Sequence, residues 1–436
     1  MTEHIGIGVI GFGTVGAGTI RILLENRELL HQRTGFYLDV VRVADLDLET
    51  DRGISLDPSV LTKDAAALIA DPKVDIVVEL IGGYEPAATF IKEALKQGKY
   101  VVTANKALLA TRGWELFETA EESGATIAFE ASVGGGIPIL RSVREGLCAN
   151  RFVSIHGILN GTANYILSQM SSEGMDFEDA LKKAQQKGYA EADPSFDVEG
   201  VDAAHKITIL SAMAFGVRVP FDSVSVKGIR EISQLDILHA RELGLVIKLL
   251  AVGRWEEGTL EIRVNPVMIP ESHLLAKVNG VYNAIHVIGD FVGSTLYYGK
   301  GAGMFPTGSA VVSDIVAIAR QIAKERPYEV PPLGYPLSSF KEARLKDVKE
   351  VKGTYYLRMM TVDRPGVLSK ISGVLGEKGI SLSSVIQKGR GEEPVAIVMV
   401  THETTQQQID DALKVINRMD VLMEPALALH IEKDLE

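Results

Sequence analysis

The chain has 436 residues, a length at which about three domains are expected instead of one core. Hydrophobic residues make up 46% of the chain, enough for large cores, and the formal net charge of −12 disfavours nucleic acid and anionic membrane surfaces as partners. The single cysteine, Cys148, excludes internal disulfides and Cys-rich zinc sites and fits a reducing, cytoplasmic location. Because no apolar run reaches the ~18 residues that cross a bilayer, we expect no membrane segment.

Short apolar strands alternate with amphipathic helices over the first 130 residues. The pattern predicts strands at 5–10, 38–44, 75–81 and 100–103, and helices at 14–28, 86–97 and 113–123. This alternation is typical of an α/β, Rossmann-type, doubly wound parallel sheet, whose ligands bind at the C-terminal ends of the strands. We therefore predict a nucleotide-binding domain at 1–130, completed by a helix at 309–322 within a returning segment at 305–325.

Longer, mixed elements follow at 131–304 and predict an α+β domain for substrate binding and dimerisation. Its helices are expected at 162–173, 176–187, 198–215 and 233–243, and its strands at 152–159, 248–254, 259–268 and 286–291. Four prolines and a dense run of charges predict an extended linker at 326–352. Residues 353–436 then predict a ferredoxin-like β-α-β-β-α-β domain, with elements at 355–362, 364–378, 382–388, 394–402, 405–419 and 421–431.

A glycine-rich loop joins the first predicted strand to the first predicted helix. Its G-x-G-x-x-G sequence is Gly11, Phe12, Gly13, Thr14, Val15 and Gly16. The glycines permit a tight turn and a close approach to a pyrophosphate, and the helix N-terminus supplies amide hydrogens and positive potential. The context predicts dinucleotide binding; a merely structural glycine turn is the alternative.

Asp45 ends the second predicted strand, where a Rossmann fold places the carboxylate that binds the adenosine ribose. It lies further from Gly11 than the usual ~20 residues, and a solvated acidic turn is the other interpretation. The neighbouring carboxylates, Asp47, Glu49 and Asp51, disfavour a 2′-phosphate, whereas Arg42 and Arg52 could accept one. The sequence thus favours NAD and leaves NADP open.

Thr103 and Lys106 lie at the end of the fourth predicted strand, at the sheet edge where the nicotinamide half of a cofactor is expected. A lysine at this edge could orient a carboxylate substrate or support a developing alkoxide. A surface lysine near a helix start is an equally good interpretation of Lys106.

Asp202 and Lys206 are four residues apart and share one face of a predicted helix. Apolar residues continue that face at Ile209, Leu210 and Met213. A buried ion pair carries a desolvation cost that structure alone rarely justifies, although the helix is apolar on most sides. A partly desolvated Lys206 suits proton donation to an alkoxide, and Glu191, Asp197 and Asp202 suit an α-ammonium group, so we expect reduction of an amino-acid aldehyde.

The chain resembles the homoserine dehydrogenase family over residues 5–325. The resemblance rests on five blocks, at 11–16, 102–106, 130–138, 161–164 and 184–206. It implies NAD(P)-linked interconversion of L-aspartate 4-semialdehyde and L-homoserine, a step towards threonine, methionine and isoleucine. Another amino-acid dehydrogenase, or a non-catalytic amino-acid sensor that retains a nucleotide fold, are the alternatives.

Residue roles follow from that resemblance. It implies that Lys206 is the proton donor, with Lys106 and Asp202 beside it. The implied substrate contacts are Gly188, Glu191, Asp197 and Asp202, and Gly303 is an implied contact near the nicotinamide. The resemblance also implies a monovalent cation, Na⁺ or K⁺, bound by Glu130, Val133, Gly135 and Ile137. From the residues alone, a hinge is an equally good interpretation of the glycines at 134–136.

The C-terminal segment resembles ACT domains in its turn at 363–368 and in the strand entry at 379–382. The resemblance implies an amino-acid sensor, with threonine as the expected effector and a homodimer or homotetramer as the expected assembly. Ser381 stands where many effector-binding members have Asn, so a dimerisation module without a ligand is the alternative.

Overall fold

The computed structural model describes residues 4–322, 330–387, 394–433 and 435. Positions 323–329 of the predicted returning segment and linker, and Lys388 at the end of a predicted strand, lie outside the described residues. Within the described ranges, no helix combines the length and apolar character needed to cross a bilayer.

The elements are numbered here in chain order. The strands are β1 (His4–Ile10), β2 (Tyr37–Ala44), β3 (Leu61–Thr62), β4 (Ile76–Glu79), β5 (Tyr100–Thr103), β6 (Ile127–Ala128), β7 (Phe152–Ile158), β8 (Val217–Arg218), β9 (Ser225–Val226), β10 (Leu245–Glu256), β11 (Thr259–Pro270), β12 (Tyr282–Gly289), β13 (Gly293–Lys300), β14 (Lys341–Glu342), β15 (Lys352–Thr361), β16 (Leu382–Gln387), β17 (Val395–Thr401), β18 (Thr404–Thr405) and β19 (Leu427–Ile431). The helices are α1 (Thr14–Glu25), α2 (Arg27–Thr34), α3 (Ala65–Ala70), α4 (Ala87–Lys96), α5 (Lys106–Ser123), α6 (Ile139–Arg141), α7 (Gly161–Glu173), α8 (Phe177–Gln186), α9 (Ser195–Val198), α10 (Val201–Phe215), α11 (Gln234–Glu242), α12 (Met304–Ile322), α13 (Val367–Glu377) and α14 (Gln406–Ile416).

The described chain forms two compact units. The first contains residues 1–161, 202–224 and 281–343, and the second contains residues 162–201, 225–280 and 344–436. A six-stranded parallel sheet in the order β3-β2-β1-β4-β5-β6 lies in the first unit. The apolar residues of β1 are buried on both faces of the sheet. The strand order reverses between β1 and β4. The predicted Rossmann-type sheet is confirmed.

Helix α12 packs on α1 in the first unit. A Cβ atom at Gly18 would lie 2.4 Å from the Met304 carbonyl oxygen, and one at Gly308 would lie 3.0 Å from the Thr19 nitrogen, so small residues allow the close approach. Ile20 and Ile315 belong to the same buried cluster. The predicted helix at 309–322 is confirmed, and it begins five residues earlier, at Met304.

Two elements in the first unit have bounds that differ from the predicted ones. The strand expected at 286–291 is β12, which begins at Tyr282 and ends at Gly289; the chain then reverses and resumes as β13 at Gly293, whose φ is 71°. The helix expected at 113–123 begins at Lys106, because the Asn105 side chain accepts a hydrogen bond from the Leu108 amide and caps it. Strands β7, β12 and β13 form an antiparallel set.

The second unit contains the long hairpin β10-β11 and the predicted ferredoxin-like domain. Strands β15, β17 and β16 pair antiparallel, and α13 and α14 cover a core that includes Tyr355, Leu357 and Ile397. Strand β19 pairs with β15 and also, in parallel, with β11 through Val267 and Met268. The C-terminal domain therefore shares one continuous sheet with the hairpin.

The described part of the predicted linker is only partly extended. Leu333 and Phe340 are buried in the first unit, and the Phe340 ring lies 5.0 Å from the ring of Trp114 between centroids. The prediction of a uniformly extended connector was therefore wrong for residues 330–343, because these apolar side chains pack on α5.

Candidate active site

Asp202 and Lys206 lie one turn apart on α10, and both side chains are buried. The Lys206 Nζ atom donates to Asp202 Oδ2 at 2.7 Å, and the two residues are 7% and 4% exposed. Because a buried ion pair repays its desolvation only with further partners, the remaining contacts of both groups are informative.

Lys106 is the second cation at this carboxylate. Its Nζ atom lies 3.2 Å from Asp202 Oδ1. The preceding residues fix its place, because the Thr103 hydroxyl donates to Glu79 Oε2 at 2.6 Å and Asn105 caps α5. Burial raises the pKa of Glu79, which also accepts backbone amides. Lys106 therefore begins α5 at the C-terminal end of β5.

The carboxylate between two ammonium groups remains ionised. Burial alone would raise the pKa of Asp202, but the charges of Lys206 and Lys106 and hydrogen bonds from Lys206 and Asn160 hold it well below its usual range. One negative and two positive charges leave the cluster with a net positive charge, suited to an oxygen that becomes negative during reaction.

Two groups in this cluster were missed by the sequence analysis. Asn160 Nδ2 donates to Asp202 Oδ2 at 2.9 Å, and the Leu159 carbonyl accepts from Lys206 Nζ at 2.7 Å. Asn160 directly precedes the 161–164 block of the family resemblance, and this position was the only sequence feature that could have indicated a role for it. A backbone carbonyl has no side-chain identity by which sequence could reveal it.

His205 lies next to this cluster in sequence, and its environment favours the neutral ring. Burial lowers the pKa of His205 to about 4, and the ring stacks on Phe221 with 4.3 Å between centroids. It is therefore a packing residue at neutral pH.

The glycine-rich loop has the shape that a pyrophosphate requires. Gly11 has a φ of 104°, and a Cβ atom at Gly16 would lie 2.0 Å from the Gly11 carbonyl oxygen. A Cβ atom at Gly13 would meet nothing within 4 Å, so the space above the loop is open. Thr14, Val15 and Gly16 form the first turn of α1, which contains no acidic residue. The loop thus fits a bound dinucleotide.

Asp45 contacts this loop directly. Its Oδ2 atom accepts from the Phe12 amide at 2.5 Å, and its Oδ1 atom accepts from the Asp47 amide at 2.8 Å. The Arg52 guanidinium lies 5.0 Å from the centroid of the Phe12 ring and 3.2 Å from Asp47 Oδ2. The acidic turn and the glycine loop therefore form one surface.

Gly303 belongs to a second glycine-rich contact in the first unit. Its φ is 127°, a conformation that favours glycine. The Gly136 amide donates to the Lys300 carbonyl at 3.1 Å, and a Cβ atom at Gly135 would lie 2.4 Å from the Gly301 carbonyl oxygen. The segments at 134–136 and 300–303 are thus closely packed.

The Glu130 carboxylate caps the short helix that follows the 134–136 segment. It accepts from the Leu140 and Arg141 amides at 2.9 and 2.8 Å, and Asp314 Oδ2 accepts from the Glu130 amide at 2.8 Å. Burial, with the charge of Asp314, raises the pKa of Glu130 to about 7, and burial raises that of Asp314 to about 6. Arg141 Nη2 lies 3.4 Å from Asp314 Oδ1. Carboxylate oxygens are ligands of the kind that hard cations such as Na⁺ and K⁺ bind.

Three predicted substrate contacts lie in the second unit. Gly188 follows α8 with a φ of 72°, Glu191 is exposed, and Asp197 lies on α9. The Thr162 hydroxyl donates to the Tyr189 carbonyl at 2.7 Å and holds this segment. The structure thus brings Lys106, Asp202 and Lys206 together in the first unit, whereas these three residues belong to the second unit.

The Rossmann-type sheet, the glycine loop and the buried lysine and aspartate cluster define a nicotinamide-dependent oxidoreductase. Comparison with known proteins specifies it further. The family model "Homoserine dehydrogenase, NAD binding domain" matches residues 11–130, the model "Homoserine dehydrogenase" matches 138–316, and the ACT domain model matches 355–420. The chain belongs to the homoserine dehydrogenase family and carries a C-terminal ACT domain.

Individual relatives agree along the whole chain. A homoserine dehydrogenase of Pseudomonas aeruginosa is 42% identical over 99% of both chains. The crystal structure of a homoserine dehydrogenase from Thiobacillus denitrificans is 43% identical, with a TM-score of 0.94 over 100% of this chain and 99% of that one. A hyperthermophilic archaeal homoserine dehydrogenase in complex with NADPH is 28% identical, with a TM-score of 0.63 over 74% of this chain and 99% of that one.

Proposed function

We propose that the chain interconverts L-aspartate 4-semialdehyde and L-homoserine in the route to threonine, methionine and isoleucine, with Lys206 as the proton donor. The observation that carries this proposal is the Asp202 carboxylate shared between Lys206 and Lys106, at 2.7 and 3.2 Å. A buried ammonium that is kept charged holds the proton that carbonyl reduction consumes.

The residues of this chain divide the work of the reduction. The glycine loop 11–16 would hold a reduced nicotinamide cofactor, which when bound would supply the hydride for the aldehyde carbon. As the carbon–oxygen double bond becomes single, the oxygen takes a proton from Lys206 Nζ, so that an O–H bond forms and an N–H bond breaks. Asp202 holds both ammonium groups in place, and Lys106, whose side chain is 35% exposed, stabilises negative charge on the substrate.

Recognition of the amino-acid part falls to Gly188, Glu191, Asp197 and Asp202 in this proposal. Both Asp202 oxygens already contact ammonium groups of the enzyme. Glu191 and Asp197 therefore supply the carboxylates for the substrate α-ammonium, Asp202 acts through the ammonium groups that it holds, and Gly188 leaves space for the substrate.

The test is steady-state oxidation of NADH and NADPH by the purified chain with L-aspartate 4-semialdehyde and a panel of other amino-acid aldehydes and keto acids. We expect turnover with the semialdehyde to exceed that with every other compound by about 100-fold or more, a difference of roughly 3 kcal/mol in transition-state binding. Preferred turnover of another compound would identify another amino-acid dehydrogenase, and no turnover at all would identify a sensor.

For the cofactor, we propose a preference for NAD over NADP, with the glycine loop 11–16, Asp45, Thr103, Lys106 and Gly303 forming the NAD(P)H site. Asp45, Asp47, Glu49 and Asp51 follow β2 beside the glycine loop, and their carboxylates, ionised at neutral pH, repel a 2′-phosphate. Arg52 is already paired with Asp47. The expected ratio of kcat/KM for NADH to that for NADPH exceeds 1; a ratio well below 1 contradicts the proposal.

We further propose a monovalent cation, Na⁺ or K⁺, bound by Glu130, Val133, Gly135 and Ile137. The raised pKa values of Glu130 and Asp314 support it, because burial disfavours charge on both carboxylates even with Arg141 beside Asp314, and a bound cation would stabilise that charge. The Glu130 carboxylate oxygens accept amide hydrogens, so backbone carbonyls supply most of the ligands in this proposal. The cation would order the segment at 134–136.

For the ACT domain, we propose feedback inhibition by threonine. A chain of contacts within the second unit supports this proposal. Tyr356 and Arg358 on β15 donate to Asp236, which caps α11, at 3.0 and 2.8 Å. The Ile229 amide, five residues before α11, donates to the Val198 carbonyl on α9, the helix that carries Asp197.

Removal of the ACT domain would be a poor test of that proposal, because the deletion would also remove β19 from the sheet and take away the Tyr356 and Arg358 partners of Asp236 Oδ1. Tyr356→Phe is the sharper variant. We expect unchanged basal turnover and a several-fold weaker inhibition by threonine, with Tyr282→Phe outside this contact chain as the matched control. If the wild type neither binds threonine nor slows with it, the ACT domain serves assembly only.

We also propose that the chain forms a homodimer or homotetramer and functions in the cytoplasm. Within the described residues β13 pairs only with β12, and exposed apolar side chains lie on and beside it, with Phe291 86% and Tyr298 57% exposed. The β13 strand of a second copy could pair with this edge and bury these apolar side chains. Sedimentation of the purified chain tests this proposal, and a monomer would contradict it.

The domain division that we propose follows the same functional parts. Residues 1–130 with 305–325 bind the nucleotide, 131–304 bind substrate, 326–352 form a linker and 353–436 regulate. Limited proteolysis with mass analysis of the fragments provides the test, with cuts expected first within 326–352.

A further inference from the structure

Asn283 on β12 shares a hydrogen-bond acceptor with the proposed proton donor. Its Nδ2 atom donates to the Leu159 carbonyl at 2.8 Å, and Lys206 Nζ donates to the same oxygen at 2.7 Å. A carbonyl oxygen has two lone pairs, and these two donors occupy both. The Asn283 side chain is therefore linked to Lys206 through the Leu159 carbonyl oxygen.

The structure holds the Asn283 amide in a single orientation. The residue is 1% exposed, and a Cβ atom at Gly301 would lie only 2.1 Å from Nδ2. Gly301, which has no side chain, thus leaves the space that the Asn283 amide occupies.

The other polar atom of the Asn283 amide, Oδ1, has no hydrogen-bond partner among the described residues. Burying an amide with one unsatisfied acceptor costs free energy, and an apolar side chain of the same size would avoid that cost. This cost is explained if the hydrogen bond from Nδ2 to the Leu159 carbonyl has a function, because an apolar side chain could not donate it.

Gly301 connects this amide to the segment proposed to contact the nicotinamide. It lies two residues before Gly303, and its carbonyl oxygen is in close contact with Gly135. Asn283 therefore lies between the 301–303 segment and the carbonyl that holds Lys206.

We propose that Asn283 is a positioning residue that sets both the direction and the acidity of the Lys206 ammonium through the shared Leu159 carbonyl; this rests on the proposed role of Lys206. The Asn283 donor draws electron density from the carbonyl oxygen and weakens the hold of that oxygen on the ammonium. Lys206 consequently releases its proton to the substrate more readily, and the carbonyl keeps a fixed direction.

The experiment compares Asn283→Leu and Asn283→Asp with the wild-type chain. Asn283→Leu removes the donor at similar volume, and we expect kcat to fall by about 10- to 100-fold, as for other second-sphere contacts, with the KM for the nucleotide within about twofold. Asn283→Asp keeps the shape but adds a carboxylate beside Leu159, and we expect the alkaline limb of the kcat profile to move up by about one pH unit.

Asn150→Leu is the matched control, because Asn150 Nδ2 also donates to a backbone carbonyl, that of Leu147, at 3.1 Å. We expect lower stability but unchanged kcat and pH profile for this control. If Asn283→Leu does not fold, the isosteric Asn283→Asp decides alone, through its pH profile.

Wild-type pH profiles and kcat within about twofold in the folded Asn283 variants would overturn the inference while leaving the proposed function intact. The proposed function fails separately, if the wild-type chain does not turn over L-aspartate 4-semialdehyde or if Lys206→Met retains activity, and the inference then fails with it.

Discussion

Two lysines, Lys206 on α10 and Lys248 on β10, are buried to a similar degree and differ in their partners. Lys206 contacts the Asp202 carboxylate and a backbone carbonyl. Lys248 is 1% exposed and, among the described residues, donates only to neutral oxygens, those of Val278, Asn279 and Asn164, at 2.5, 3.1 and 3.2 Å. Burial lowers the pKa of Lys248 to about 8.

Under the proposed roles, burial alone would not distinguish a proton-donating lysine from a structural one. At Lys206 a carboxylate shared with a second cation keeps the charges in place, which suits proton donation. The Lys248 ammonium binds both the 278–280 segment and Asn164 on α7. Asn164 Nδ2 also donates to the Val278 and Gly280 carbonyls, so the lysine and the asparagine together hold this segment on α7. The two lysines therefore differ in the charge of their partners more than in their burial.

Replacement of the shared carboxylate tests the comparison with the largest expected effect. Asp202→Asn removes the charge that orients Lys206 and Lys106, and we expect kcat to fall by about 10²- to 10⁴-fold with nucleotide affinity unchanged. Steady-state rates and nucleotide titrations provide the measurement. Asp236→Asn is the control, a buried carboxylate that pairs with Arg358; it should lose stability and keep its kcat. Equal losses of kcat in the two variants would show that the effect at Asp202 is structural.

Replacement of Lys248 tests the structural side of the comparison. Lys248→Met removes the donor to the buried Asn164 and Val278 oxygens, and we expect the free energy of unfolding at pH 7 to fall by about 1–3 kcal/mol, with kcat within about threefold. Denaturant unfolding and steady-state rates measure the two quantities. A large loss of kcat without a loss of stability would contradict the structural role and indicate that Lys248 takes part in catalysis.

The stability contributed by Lys248 should also depend on pH. Its pKa is about 8 in the folded chain and near 10.5 when unfolded, so the unfolded chain binds the extra proton between these values. Stability therefore rises as the pH increases from 8 to 10.5, by about 3 kcal/mol relative to Lys248→Met. The measurement is the difference between the two unfolding free energies across that range, and a flat difference would contradict the assignment.

A pH effect of the opposite sign is expected from Glu130 and Asp314. Their pKa values are raised to about 7 and 6 in the folded chain, so the folded chain binds more protons than the unfolded one between about pH 4 and 7, and stability falls as the pH rises through that window. Above pH 7, Na⁺ or K⁺ should raise the Tm of the wild type by about 2–4 °C and have less effect on Glu130→Gln. Equal salt effects on both proteins would argue against a cation at this site.

Local signals account for what the sequence predicted well. The glycine loop and the alternation of strands and helices identified the Rossmann-type sheet, because each signal is contained within one short segment. Asp202 and Lys206 were found by their spacing on one helix. The start of α5 was predicted too late, although Asn105 is a recognisable cap, because the apolar periodicity was followed instead of the cap.

Contacts between distant segments explain what the sequence could not predict. Asn160 and the Leu159 carbonyl reach Asp202 and Lys206 from more than 40 residues away, and a carbonyl has no residue identity. Lys248 is one polar position within a strand of apolar residues, where an exposed lysine is the usual expectation. The pairing of β19 with β11 joins segments far apart in the chain, and only the folded structure gives that register.

The most direct test of the central claim is the rate of reduction of L-aspartate 4-semialdehyde by Lys206→Met and Lys248→Met, measured with saturating reduced nucleotide and with nucleotide affinity measured in parallel. We predict that Lys206→Met binds the nucleotide normally and loses about 10³-fold in rate, while Lys248→Met stays within about threefold of the wild type. Near-normal reduction by Lys206→Met would contradict its role as the proton donor.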